Sequence, residues 1–194
     1  MRKINPDQRS PKPAVFTETL LRRSRLYQGA VGFCVDEVSL PDGRRAKREY
    51  LDHPGASAVV PFLDCNHIVM VRQYRYPVGK STLEIPAGKL DLGERPLACA
   101  RRELAEETGH RARNMKKITA FYPSPAFANE EIHIFAAWNL FSGNPHRDED
   151  EFLRVEIISF DRALRQVREG KIKDSKTVIG LLACAISRPF SIAQ

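Results

Sequence analysis

No stretch of this sequence is apolar for long enough to cross a membrane as a helix. The longest such run, Val178–Ile186 (VIGLLACAI), is nine residues, against the roughly 20 that a spanning helix needs. No apolar segment follows Arg2 and Lys3, so a secretory signal is not expected either. Cysteine is sparse. Cys34, Cys65, Cys99 and Cys184 are far apart and form no CxxC pair, which excludes the spacing of a zinc site or a disulfide framework. Small thiols buried in a protein of the reducing cytoplasm are the expectation. Aromatic residues make up only 8% of the chain, with a single tryptophan, Trp138. A nucleic-acid reader would interleave aromatics with basic residues on its body. No internal repeat is visible.

What remains is the composition of an ordinary soluble domain: 194 residues, 42% hydrophobic and 28% charged. That length suits one core with a small appended element. The net charge is +7, which would suit a nucleic acid or an anionic surface. Its distribution argues otherwise. Residues 1–30 hold Arg2, Lys3, Arg9, Lys12, Arg22, Arg23 and Arg25 against Asp7 and Glu18, so they carry +5, and the other 164 residues carry only +2.

Residues 1–14 are basic and proline-rich, a loosely ordered lead-in. Strand character follows at 17–26, 29–39 and 46–51, with Pro41-Asp42-Gly43 as a turn between the last two. Segments 56–63 and 68–72, separated by a polar turn at 64–67, read as a second hairpin, and a further strand over 82–85 ends at Pro86-Ala87-Gly88. A helix is expected from Glu94–Pro96 to Gly109, since proline suits a first turn and glycine a left-handed C-cap. Leu97, Ala100 and Leu104 would bury it. Strands at 117–122 and 131–138, then helices at 160–169 and 175–187, complete an α+β arrangement with a mixed sheet. The expected division is a lead-in and β element over residues 1–52, then a main domain over residues 53–194.

The helix carries the chemistry. At about 100° per residue, Glu103, Glu106 and Glu107 share one face. Like charges at this spacing repel by a few tenths of a kcal/mol, a cost that a hard divalent cation removes by taking carboxylate oxygens. Arg102, four residues before Glu106, can pair with it. A solvated helix face would look similar, but here Gly88, Glu94, Arg102 and Gly109 fall at fixed spacings around the carboxylates.

Gly88–His110 (GKLDLGERPLACARRELAEETGH) resembles the Nudix box, G-x5-E-x7-R-E-U-x-E-E-x-G-U, where U is a bulky aliphatic residue. Gly88, Glu94, Arg102, Glu103, Leu104, Glu106, Glu107 and Gly109 match; His110 departs, standing at the final aliphatic position. The resemblance implies an α/β/α sandwich that hydrolyses nucleoside diphosphates linked to another moiety. Val71–Tyr76 (VRQYRY), Leu83–Gly88 (LEIPAG) and Pro125, fifteen residues past His110, resemble the ADP-ribose pyrophosphatase branch. Ala126 and Asn129 depart from that branch, and relatives acting on GDP-mannose share much of the pattern. Within this resemblance Glu103 and Glu107 would bind Mg²⁺ (or Mn²⁺) with the Ala87 carbonyl, assisted by Glu106, while Arg102 orients the carboxylates. Glu130, or Glu131 in its place, would be the loop carboxylate that activates water. Arg75 and Pro125, with Arg48 and Glu49 of the N-terminal element, would meet the substrate. The branch also implies a homodimer joined through its N-terminal strands. The competing readings are a non-catalytic module for RNA or nucleotides and a DNA-binding regulator. Three repelling glutamates argue against the first. The second lacks room for a helix-turn-helix in the roughly 80 residues after the box.

Overall fold

The computed structural model describes residues 16–143 and 152–187. The lead-in expected over residues 1–14 lies outside the described residues. The chain divides into two compact units, Met1–Asp52 and His53–Gln194.

In the first unit β1 (Thr19–Tyr27), β2 (Gly32–Ser39) and β3 (Arg45–Asp52) form an antiparallel sheet in the order β1-β2-β3. The β2–β3 turn closes where Gly43 adopts a φ of 85° and its N–H donates to the Leu40 carbonyl at 2.9 Å, a conformation glycine enters at no steric cost. Along β2, Cys34, Asp36 and Val38 are buried and alternate with half-buried residues. Asp36 is the telling member of that row. Arg23 donates to both its oxygens at 3.0–3.2 Å and the Tyr50 hydroxyl donates at 3.2 Å. The Arg23 guanidinium also lies 5.9 Å from the Tyr50 ring centre, within cation–π range. Burial, with the Asp36 charge next, pushes the Tyr50 hydroxyl up to about 12. An ion pair stands where a larger sheet would place apolar side chains, while Leu20, Leu21, Leu26 and Tyr27 of β1 are exposed.

The second unit contains β4 (Ala56–Pro61), β5 (His67–Arg75), β6 (Lys80–Glu84), β7 (Ala87–Lys89), α1 (Pro96–Thr108), β8 (His110–Phe121), β9 (Ile132–Ser142), β10 (Leu153–Ser159), α2 (Phe160–Arg168) and α3 (Ser175–Ser187). One antiparallel sheet has the order β10-β5-β6 and a mixed sheet the order β7-β4-β9-β8, in which β4 and β9 run parallel. Every residue of β4 is buried, as expected of a strand covered on both faces. Alternate residues serve opposite layers. Val59, Phe135 and Ala137 pack on Ala100 and Leu104 of α1, whereas Val60, Ile134 and Ala136 face Leu181 and Cys184 of α3. The fold is therefore α+β, a mixed sheet held between helices.

Three expectations are corrected. The thiols are not all buried, since Cys65 is exposed while Cys34, Cys99 and Cys184 are buried. β4 and β5 do not form a hairpin: they belong to different sheets and share only a Phe62–Ile68 bridge. The turn itself exists, with the Leu63 N–H on the His67 carbonyl at 2.9 Å, but Pro61 has no N–H to extend a ladder and β4 finds non-local partners on both edges. Leu97 is 42% exposed, so Ala100 and Leu104 bury the helix without it. β10 and the short β7 were not anticipated. The polar His110 fits because its N–H donates to the Thr108 hydroxyl at 3.1 Å and its Nδ1 reaches the Thr108 carbonyl at 3.0 Å.

Candidate active site

The sheet edge at β7 and the face of α1 meet at Gly88. A Cβ built there would stand 1.8 Å from Glu103 Oε1, so the glycine leaves the space that the carboxylate fills. One residue earlier, the Ala87 N–H donates to Glu107 Oε2 at 3.1 Å. Glu103 is 7% exposed and Glu107 2%, so these carboxylates are buried against the β7 backbone and are not part of a solvated face. α1 ends where Gly109, at a φ of 70°, donates to the Ala105 carbonyl at 2.9 Å, a left-handed cap.

Arg102 organises the approach to them. It donates to both oxygens of Glu94 at 2.9 and 3.0 Å, to Glu103 at 2.6 Å, to Glu106 at 3.0 Å and to the Lys89 carbonyl at 3.0 Å. Its hydrogen bonds to Glu94, and then the neighbouring carboxylates, raise its pKa, so it stays charged. The same bonds hold Glu94 below its ordinary value. Glu94 thus precedes the helix and serves Arg102. Cys99, beneath this cluster, is no nucleophile. Burial, with Glu103 and Glu94 adding repulsion, pushes its thiol up to about 12.

A second charged cluster was not anticipated from the sequence. Glu84 is 1% exposed and accepts from Arg75 at 2.7 and 2.9 Å, from Thr82 at 2.6 Å and from Lys176. Lys176 also donates to Asp174 at 2.9 Å. Thr177 links that end of α3 to the strand: its hydroxyl donates to Asp174 at 2.6 Å and accepts the Ile85 N–H at 3.0 Å. Burial alone would raise Glu84, but the Arg75 hydrogen bonds, the Lys176 charge and Thr82 outweigh it and hold the carboxyl at about 2. Arg75, expected at the substrate, is thus turned toward Glu84, and the charge of Glu107 is among those that raise its pKa. The only signal in the sequence was one acidic residue in the apolar run LEIPAG.

Pro125, Glu130 and Glu131 lie on the segment between β8 and β9. The Glu131 carbonyl accepts the Ala56 N–H at 3.0 Å. Glu130 Oε1 stands 3.7 Å from His53 Nε2, and the His53 N–H donates to Asn129 Oδ1 at 2.7 Å. Burial lowers the His53 pKa, opposed by Glu130 and joined by Lys89. Arg48 and Glu49 lie on β3 in the first unit, where Arg48 pairs with Glu18.

Among the described residues no group of three His, Cys, Asp or Glu side chains gathers tightly enough to hold a metal ion alone. The donor set nonetheless fits a hard cation: buried glutamate oxygens beside a glycine whose missing Cβ keeps room for them. Mg²⁺ characteristically takes one or two carboxylates, retains waters and completes its shell with substrate phosphates.

Two buried glutamates of one helix thus stand against a strand-edge glycine, on a mixed sheet between helices. Residues 52–178 match the NUDIX domain. The chain belongs to the Nudix family and is a Nudix hydrolase. It is 44% identical over 170 residues to the methanol dehydrogenase activator of Bacillus methanolicus, covering 86% of this chain and 92% of that one. It is 42% identical over 167 residues to the ADP-ribose pyrophosphatase of Bacillus subtilis, covering 84% and 90%. A crystal structure of an ADP compounds hydrolase shares the fold at a TM-score of 0.76 and 20% identity, over 87% of this chain and 92% of that one.

Proposed function

We propose that this protein hydrolyses the pyrophosphate of ADP-ribose to give AMP and ribose 5-phosphate. Water adds its oxygen to one phosphorus as the bridging P–O bond breaks, and its proton leaves to a base. The observation that carries this reading is the Glu103–Glu107 cradle closed by Ala87 and Gly88. The choice of substrate is supported by likeness to the Bacillus subtilis ADP-ribose pyrophosphatase.

Glu103 and Glu107, with the Ala87 carbonyl and Glu106, would hold Mg²⁺ or Mn²⁺. Such an ion, when bound, screens the phosphate charge and acidifies water. The chain's own groups do the rest. Arg102 fixes Glu103 and Glu106 in one rotameric arrangement, so the carboxylates need no reorganisation when substrate arrives. Glu130, or Glu131, takes the proton of the attacking water, a task for a carboxylate carried on the segment between β8 and β9. Arg75 is oriented by Glu84 and meets phosphate or ribose. Pro125 stiffens the segment that frames the nucleotide, and Arg48 and Glu49 reach the substrate from the N-terminal element.

Incubating the full chain with ADP-ribose, GDP-mannose and a short RNA, with and without Mg²⁺, tests this directly. Metal-dependent release of AMP from ADP-ribose is expected. Faster turnover of GDP-mannose would move the substrate to that sugar nucleotide, and binding of RNA without hydrolysis would replace the enzymatic reading by a binding one.

The same proposal includes a homodimer formed through the exposed apolar residues of β1 and a location in the cytoplasm, where four free cysteines are compatible with a reducing milieu. Among the described residues no helix is long and apolar enough to cross a membrane. Sedimentation at micromolar concentration is expected to give twice the 22.0 kDa chain mass; a single chain mass overturns the dimer.

A further inference from the structure

We infer that His53 is a positioning residue for Glu130, a role that rests on the reading of Glu130 as the carboxylate that activates water. The segment His53-Pro54-Gly55-Ala56 is stitched to the loop that carries Glu130. The His53 N–H donates to Asn129 Oδ1 at 2.7 Å and the Ala56 N–H to the Glu131 carbonyl at 3.0 Å. These bonds flank Glu130 on both sides. Gly55 makes the approach possible. Its φ is 93°, and a Cβ there would lie 2.9 Å from Leu90 Cδ1 and 3.3 Å from the Glu131 oxygen. Its carbonyl accepts the Leu90 N–H at 3.1 Å, which ties the same segment to the residues after β7.

The imidazole is set by this backbone. The Gly55 N–H donates to His53 Nδ1 at 3.0 Å, so Nδ1 is an acceptor and carries no proton. A neutral ring then holds its proton on Nε2, the atom facing Glu130 Oε1 at 3.7 Å. That separation is beyond a hydrogen bond. Catalytic contacts of this kind commonly tighten when substrate binds. The histidine side chain is 12% exposed and that of Glu130 24%, so the pair is sheltered enough for one N–H to bias where the carboxylate points. In this role His53 acts through Glu130 and not on the reacting atoms.

Glutamine and asparagine separate this role from a purely structural one, because the glutamine amide reaches the Nε2 position and the asparagine amide the Nδ1 position. Steady-state kinetics of the full chain with ADP-ribose and Mg²⁺ are expected to show kcat falling about tenfold in His53→Ala and His53→Asn with KM little changed. His53→Gln should regain most of that loss. The double variant His53→Ala/Glu130→Gln should be no slower than Glu130→Gln alone. Rescue by asparagine instead of glutamine, additive losses, or full kcat in His53→Ala would overturn the inference while leaving Glu130 in its role. Wild-type turnover in Glu130→Gln would overturn both. Side-chain ¹⁵N spectra give a reading without substrate: an Nε2–H tautomer whose Nε2 signal shifts in Glu130→Gln is expected, and an Nδ1–H tautomer would sink the assignment.

Discussion

Glu107→Gln is expected to lower kcat for ADP-ribose by roughly 100-fold or more while the protein stays folded. The substitution keeps the volume of a side chain that is 2% exposed. It also keeps an oxygen able to accept the Ala87 N–H, now at 3.1 Å from Oε2. What it removes is the charge and one hard oxygen at the place where β7 meets α1. Circular dichroism and the unfolding midpoint should therefore change little, while the Mg²⁺ concentration needed for half-maximal rate rises. Full turnover in this variant would remove Glu107 from the metal site. A collapse of the fold would show that its charge is structural.

The largest expected loss of stability lies elsewhere, at Glu84. Glu84→Gln leaves Arg75 and Lys176 facing a neutral amide in a buried setting, and breaking a buried pair in this way costs about 3 kcal/mol or more. The acid limb of the stability profile reports the same energy. Glu84 is held at about 2 against an ordinary 4.5, so the unfolded state takes up the proton first. Its contribution is complete above about pH 4.5 and disappears as pH falls toward about 2; the shift corresponds to about 3 kcal/mol. Denaturant titrations should show the variant less stable than wild type at pH 7, with the gap narrowing below about pH 4.5. A gap under about 0.5 kcal/mol at pH 7 would mean that the cluster contributes nothing net.

The contrast between these two glutamates shows which parts of the molecule were legible in the sequence. The face formed by Glu103, Glu106 and Glu107 follows from helical periodicity alone, and the caps of α1 follow from Pro96 and Gly109. The burial of Glu103 and Glu107 does not, because it depends on Gly88, fifteen residues before Glu103, arriving alongside. Glu84 was less legible still. Its partners come from β5 and from the start of α3, and no local pattern announces a pairing across such separations. The supposed β4–β5 hairpin failed for the same reason. Alternation marks a strand, but only tertiary packing decides its neighbours. His53 was missed because its role lies in the tautomer imposed by the Gly55 amide, a property of backbone geometry.

The parallel pairing of β4 with β9 also has a consequence for how the molecule assembles. Ala56 meets Ile132 and Ser57 meets His133, partners far apart along the chain, whereas β8 and β9 are consecutive strands joined by residues 122–131. Closing a long loop costs entropy before any contact returns it, so local hairpins are favoured early and the β4–β9 ladder late. β7, and with it Gly88, is anchored to the sheet through β4. The strand that anchors β7 behind the carboxylates therefore gains its second neighbour, β9, only after the local hairpins have closed.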